Sequence, residues 1–481
     1  MIFLHSIESS INTFARLSNL VSTPSKSNPD PKYRKFVESI LKKLEVQSKN
    51  CDVGYLWNAL TEIGDKEIVN SLKTNIPFIN MADSGGLQMI TLGLSSDDET
   101  KKGIFERQAL YSTHAMSFDE MPIRVKEQKS SKLDLTSRYF ITDLLYESGY
   151  KSGNNLILQC ETFHKLYTAY ENDNTLPKPK SKILVILQGN SIDGYNEYAR
   201  GLFDRMNELP TDVRDQYYKY IKGISLGMTG CTEFYDLIDV YCRAPIDLTH
   251  VPEQFRSFVH FLGIGGITKV SFLTALQSDF FGKDVEITFD STSRTSSATY
   301  GKFTTFENKN KVTHALGRTY GKPVDLLIRK TLHKFGNILE DCFGPEILDP
   351  EYFRENYTPW RKCLTRKKAD LIEKHGKTAE TDKMHTNINY VIDFLIWANE
   401  LTVFLEILDE FRSGNYGALN NVLFRTASEV LHNIKNYDEY MEKKDYFRLL
   451  LKSKRVNNVN IIKSVEEFEN IDKYQGIDDE W

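Results

Sequence analysis

Between about residue 76 and residue 300 the chain alternates short apolar runs with amphipathic stretches, and no other feature constrains its fold as much. The apolar runs are 76–81, 115–118, 183–187, 223–226, 258–262 and 285–289, each the length of a buried strand. Helical spacing lies between them, over 155–170, 194–208 and 232–242. Strands that alternate with helices argue for a parallel sheet covered by helices, an α/β architecture. Six or more such units over about 220 residues fit a (β/α)8 TIM-like barrel better than a doubly wound sheet. No G-x-G-x-x-G follows a first strand to favour the latter.

The flanks read differently. Residues 1–50 open with helical patterning, pass a polar break at 22–31, and continue in a charged helix near 35–46. After Gly301 helical spacing returns over 322–342, 387–411, 418–434 and 438–451, with a loop-like stretch at 345–359. The expected organisation is an N-terminal helical segment (1–50), a catalytic (β/α)8 core (51–302), a mainly helical C-terminal region (303–455) and an acidic tail (456–481).

Composition narrows the function classes. With 481 residues and 40% hydrophobic content there is enough chain for one large barrel with additions. A net charge of −5 supplies no global basic field, so any nucleic-acid contact must be a local patch. The six cysteines form no C-x-x-C pair and are read as reduced thiols. The apolar N-terminus is too short for a signal peptide, and no stretch approaches a membrane span. The expectation is a soluble protein of the bacterial cytoplasm, or of a phage-infected host.

Five apolar runs end in chemistry-bearing residues: Asp83-Ser84-Gly85-Gly86, Phe118-Asp119-Glu120, Leu187-Gln188-Gly189-Asn190, Gly227-Met228-Thr229-Gly230 and Phe289-Asp290-Ser291. In a (β/α)8 barrel all of them lie on the C-terminal face, where active sites form. A single Asp after a strand is more often a helix N-cap. Three carboxylates, an amide and a glycine turn at successive strand ends argue for a site.

These segments resemble the motifs of the tRNA-guanine transglycosylase superfamily. Asp83-Ser84-Gly85-Gly86-Leu87-Gln88 is similar to D-S-G-G-F-Q, Phe118-Asp119-Glu120 to F-D-E, and Leu187-Gln188-Gly189 to V-Q-G. The stretch from Gly223 to Gly227 is similar to G-x-A-I-G, that from His260 to Gly265 to Y-L-M-G-V-G, and Phe289-Asp290-Ser291 to F-D-C. The segment ending in Tyr300-Gly301 lies where the family has A-R-H-G. The resemblance covers roughly residues 75–302, in the family's order. It implies base exchange at a nucleotide by double displacement. Asp290 would attack C1′, and Asp83 would be the general acid–base. Asp119 and Gln188 would read the purine, and Ser84, Gly227, Met228 and Gly265 would complete the base pocket. Met228 stands where the family has a second glycine. The chemistry agrees: one carboxylate captures an oxocarbenium-like centre while another moves protons on the bases, without a cofactor. The target base must leave its stack to be reached. His260 is read as a packed strand histidine, and Glu120 either raises Asp119 by like charge or caps a helix.

Two departures from the family stand out. The C-x-C-x-x-C zinc cluster has no counterpart; Cys342, Cys363, His375 and His385 fit no zinc spacing, and neither cofactor nor structural zinc is expected. The basic residues before the late glycine are replaced by Ser296 and Thr299, with Arg294 where the family has proline. This pattern resembles the branch of phages and some bacteria that places 7-deazaguanines in DNA. The expected activity is a DNA-guanine transglycosylase inserting preQ0 or a relative. The alternatives are a tRNA-guanine transglycosylase, a non-catalytic member that binds nucleic acid with a partner, and an unrelated barrel glycosidase. Expected partners are DNA (tRNA as the alternative) and a 7-deazaguanine base, with no membrane and no oligomeric state specified. Candidate phosphate contacts are Arg294, Arg361, Lys362, Arg366, Lys367 and Lys368, the last five following Tyr357 and Trp360. Lys309, Lys311, Arg318 and Lys322 form a weaker set, and a solvated helix start is the plain alternative for 357–368.

Overall fold

The computed structural model describes residues 2–6, 53–60, 80–86, 97–130, 133–228, 233–277, 280–282, 284–291, 302–315, 324–356, 387–451 and 459–469. Its strands are β1 (Ile2–Ser6), β2 (Val53–Asn58), β3 (Asn80–Asp83), β4 (His114–Met116), β5 (Ile123–Ser130), β6 (Leu133–Ile141), β7 (Lys182–Leu187), β8 (Ile221–Leu226), β9 (Phe258–Phe261), β10 (Glu286–Ser291), β11 (Lys302–Glu307), β12 (Asn310–Ala315) and β13 (Val459–Ile462). The helices used below are α1 (Asp98–Tyr111), α2 (Leu145–Asn172), α3 (Ile192–Asn207), α4 (Thr211–Tyr218), α5 (Phe234–Asp247), α6 (Ile267–Ala275), α7 (Val324–Phe343), α8 (Pro350–Asn356), α9 (Asn387–Arg412), α10 (Val422–His432) and α11 (Tyr437–Leu451).

The architecture is α/β, built on a curled parallel sheet in the order β1-β10-β9-β8-β7-β4-β3-β2. β1 pairs with β10 on one side and with β2 on the other, so the strand order returns on itself. The period of two along each strand sorts its side chains. One set (Leu56, Met81, Met116, Leu184, Ile186 and Phe258) forms a small inner core. The opposite faces, such as Ile183, Val185 and Leu187 of β7, join the larger core under the helices. Burying each of these side chains contributes about 1.5–3 kcal/mol.

Helices α2 and α3 approach closely because glycines face backbone. A Cβ on Gly149 would collide with the Tyr198 carbonyl, and one on Gly201 with that of Tyr146. Farther along, α10 and α11 pack on the sheet's helical layer. Phe424 lies 4.6 Å from Phe234 and 5.9 Å from Phe272 between ring centres. Tyr437 donates to Asp247 at 2.8 Å and Tyr440 to Asp239 at 3.0 Å, while Arg243 binds both carboxylates. Glu400 of α9 is buried and accepts from the Thr304 N–H and hydroxyl, clamping β11. No helix among the described residues is long and apolar enough to cross a membrane.

Several expectations need correction. Residues 2–6 are a strand of the central sheet, not the start of a helical segment. An apolar run this short has no period long enough to separate strand from helix, and pairing on both sides decides. β2 also belongs to the sheet, although no strand is expected there from sequence. The mainly helical region after 302 opens with an antiparallel hairpin, β11–β12, that is not expected from sequence. Within 345–359, Pro345–Leu348 forms a 3-10 turn and Pro350–Asn356 a helix in place of a loop. The acidic tail contains β13, which adds in parallel to β6 of the β5–β6 hairpin. The expected helix at 35–46 lies outside the described residues.

Candidate active site

The site is the upward continuation of the inner core. Leu184 and Ile186 belong to that core, so Gln188, two residues on, leaves β7 on the same face. By the same count Met81 leads to Asp83 and Leu56 to Asn58. On β9 and β10, His260 and Thr288 are register partners joined by a 2.7 Å hydrogen bond, and Asp290 follows Thr288 by two. Asp83 and Asp290, expected just past their apolar runs, are among the closing residues of their strands, paired with Asn58 and Leu4. Six neighbouring strands in sheet order (β3, β4, β7, β8, β9, β10) each end in a residue or turn of the site.

Asp119 and Gln188 meet directly. Gln188 Nε2 donates to Asp119 Oδ2 at 2.5 Å, and both side chains are buried. A carboxylate accepts only, which orients the amide and leaves Gln188 Oε1 without a hydrogen-bond partner among the described residues. Burial pushes the Asp119 carboxyl up to about 6. The Gln188 hydrogen bond opposes that rise, and the neighbouring Glu120 charge adds to it. Glu120 caps no helix here. Its N–H donates to Ser152 Oγ at 2.7 Å, its carboxylate accepts from Asn155 at 3.1 Å, and its carbonyl accepts from Tyr198 at 3.2 Å. Lys101 completes this scaffold, donating to Asn155 at 2.9 Å. The turn bearing Asp119 is thus held by α1, α2 and α3.

Glycines bring backbone against this pair. A Cβ on Gly86 would lie 3.3 Å from Asp119 Oδ1 and 3.8 Å from Ser84 Oγ, so Ser84, Gly86 and Asp119 are brought together. Ser84 is fully buried, with no hydrogen-bond partner for its hydroxyl among the described residues. Gly85 has φ +76°, and a Cβ there would sit 2.6 Å from Asn58 Oδ1. A Cβ on Gly227 would collide with the Gln188 amide. Gly227 itself is pinned, its N–H to the Leu187 carbonyl at 2.8 Å and its carbonyl to the Tyr195 hydroxyl at 2.5 Å. Met228 has φ +63°, a left-handed backbone that favours glycine. Its side chain packs on the outer core. Met228 therefore carries a strained backbone at this turn.

Asp290 stands near the end of β10. From β3 the order runs through β2 and β1 to β10, which puts Asp83 and Asp290 three strand steps apart. Asp290 is buried, and its Oδ1 accepts from the Gly263 N–H at 2.7 Å. Gly263 takes φ +76° to make that approach, and the buried Gly265 follows in the same turn. His260 is packed, as expected, but it also touches the site: Nε2 is 3.3 Å from Asp290 Oδ1. Lower in the same interior, His114 stacks on Phe258 at 5.0 Å, and burial, then Lys222 and His260, pull it down to about 4. The contact of His260 with Asp290, and the Lys101–Asn155–Ser152–Tyr198 scaffold, escaped the sequence reading. Only the two-residue spacing of His260 from the β9 core position hinted at the former.

Other expected residues are not brought to the site by anything described. Arg294, Arg361, Lys362, Arg366, Lys367 and Lys368 lie outside the described residues, as do Leu87, Gln88, Ser296, Thr299, Tyr300 and Gly301. Lys309 is engaged by Glu410 at 3.1 Å, which weakens it as a phosphate contact, and Arg318 and Lys322 are outside the described residues. Cys363, His375, His385 and the Cys342 side chain are outside them too. Among the described residues no three His, Cys, Asp or Glu side chains gather as a metal site.

No family model matches the chain, and a search of curated proteins returns no match.

Proposed function

We propose that this chain is a guanine transglycosylase built on a (β/α)8 barrel, exchanging guanine in DNA for a 7-deazaguanine such as preQ0 or a relative. The observation that carries the reading is the Asp119–Gln188 pair seated in sheet order between Asp83 and Asp290. Guanine offers N1–H and N2–H₂ as donors and O6 as an acceptor, and a carboxylate beside an amide complements that edge. Ser84 Oγ and Gln188 Oε1, buried and unpartnered among the described residues, supply further groups for a polar ligand.

In the first displacement Asp290 attacks C1′ as the C1′–N9 bond breaks, and Asp83 protonates the departing guanine. In the second, N9 of the incoming base attacks C1′, Asp83 takes the N9 proton, and the carboxylate of Asp290 is released. Two inversions give retention. The preference for DNA rests on the resemblance: Ser296 and Thr299 replace the family's basic residues, and the zinc spacing is missing.

The test is incorporation of labelled preQ0 into duplex DNA, single-stranded DNA and tRNA. Label should enter DNA, should be lost with Asp290→Ala, and should stop turning over with Asp83→Asn. Label in tRNA alone would move the chain to the RNA branch. Label surviving Asp290→Ala would remove Asp290 as nucleophile.

A further inference from the structure

Two residues beyond Phe258 of the inner core, β9 places a buried imidazole beside the proposed nucleophile. His260 is fully buried opposite Thr288, with Nδ1 2.7 Å from Thr288 Oγ1. Its Nε2 lies 3.3 Å from Asp290 Oδ1, off the line that a hydrogen bond needs. The same Oδ1 already accepts the Gly263 N–H. The Thr288 contact accommodates either tautomer; with the proton on Nε2, Nδ1 accepts from the Thr288 hydroxyl and the ring turns an N–H toward Asp290 Oδ1. Catalytic hydrogen bonds are often long or misaligned before substrate binds and tighten along the reaction.

We infer that His260 is the positioning residue of the nucleophile: its Nε2–H and the Gly263 N–H together hold Asp290 Oδ1, so that Oδ2 is the oxygen that bonds C1′. The inference rests on the transglycosylase reading. When Oδ2 attacks, the C1′–N9 electron pair leaves with guanine and Oδ1 becomes the ester carbonyl oxygen. When the incoming N9 attacks, the C1′–Oδ2 pair returns to the carboxylate and negative charge reappears on Oδ1. Two donors preset at Oδ1 stabilise that departing carboxylate, as donors aimed at developing charge do elsewhere. The role falls on resolution of the covalent intermediate and not on recognition of the base.

The experiment compares wild type, His260→Phe and His260→Gln for the rate at which the protein–DNA adduct is resolved by added preQ0, and for KM of preQ0. A lost hydrogen bond to a charged group corresponds to roughly a 10- to 100-fold effect. His260→Phe should slow resolution by about that factor with KM unchanged. His260→Gln, which keeps an N–H donor, should recover part of the rate. A folded His260→Phe that resolves the adduct at the wild-type rate, or His260→Gln as slow as His260→Phe, overturns the assignment. A second readout needs no turnover: ¹⁵N signals of the His260 imidazole should report the Nε2–H tautomer in wild type and change in Asp290→Ala. Unchanged signals overturn the His260–Asp290 pairing. If wild type forms no adduct, the transglycosylase reading falls, while the imidazole signals still decide the pairing.

Discussion

Buried beside Gln188, Asp119 makes the stability of the fold depend on pH. Its folded-state value of about 6 exceeds the value of about 3.9 for a free aspartate. The folded chain therefore favours the protonated form, and the stability this contributes is complete below about pH 4. It is lost as pH rises through about 6, where the buried carboxyl ionises. Asp119→Asn, which never ionises, should be more stable than wild type at pH 7 by up to ~3 kcal/mol. The difference should close below about pH 4; urea unfolding at pH 7 and pH 4 measures both. On the proposed function base exchange should run the other way, because a carboxylate, unlike a carboxylic acid or an amide N–H, can only accept from the N1–H and N2–H₂ of guanine. Its rate should climb through about pH 6 in wild type, and that limb should vanish with Asp119→Asn. A variant no more stable at neutral pH would mean that ionisation of Asp119 carries no penalty in the fold.

Among the elements, the α2–α3 pair bears most directly on the site. Their close crossing places Ser152 and Tyr198 within 2.6 Å of each other, and both bind the backbone of Glu120 next to Asp119. Gly201→Ala forces a methyl into the Tyr146 carbonyl and should cost about 1–3 kcal/mol. It should also loosen Asp119 and weaken base binding. Gly103 of α1 is the control, since a Cβ there meets only Arg107 Nη1 at 3.5 Å. Gly103→Ala should therefore stabilise by about 0.4–1 kcal/mol, because it removes backbone freedom from the unfolded chain. Thermal unfolding of the two variants should shift Tm in opposite directions, and equal shifts would show that helix propensity outweighs the crossing.

For the whole molecule, α10 and α11 pack on the sheet's helical layer, and among the described residues neither contacts the site. Tyr440 is fully buried, and its hydroxyl binds Asp239 of α5. Tyr440→Phe leaves that carboxylate a partner short and should cost about 1–3 kcal/mol of stability. The exchange rate should stay at the wild-type value wherever the variant remains folded. Denaturant midpoints and initial rates from one preparation separate the two effects. A slowed reaction in a folded variant would make α11 part of the site's support.

Local pattern alone located the six sheet strands bearing the candidate site and the long helices of the C-terminal half, and placed Asp83, Asp119, Gln188 and Asp290 at or just past strand ends. Buried parallel strands are continuous apolar runs, so both their existence and their chemistry-bearing ends can be read directly. Only the tertiary structure decided that Ile2–Ser6 is a strand, that β13 joins β6, and that His260 touches Asp290. Each depends on a partner far along the chain. β1 sits beside β10, and Val459 pairs with Arg138. A five-residue or four-residue run carries too little periodicity to declare itself. The elevated Asp119 carboxyl divides the same way: the adjacent Glu120 charge is legible in the sequence, whereas the burial that contributes most to the rise, and the opposing hydrogen bond from Gln188 at the end of the neighbouring strand, come only with the fold.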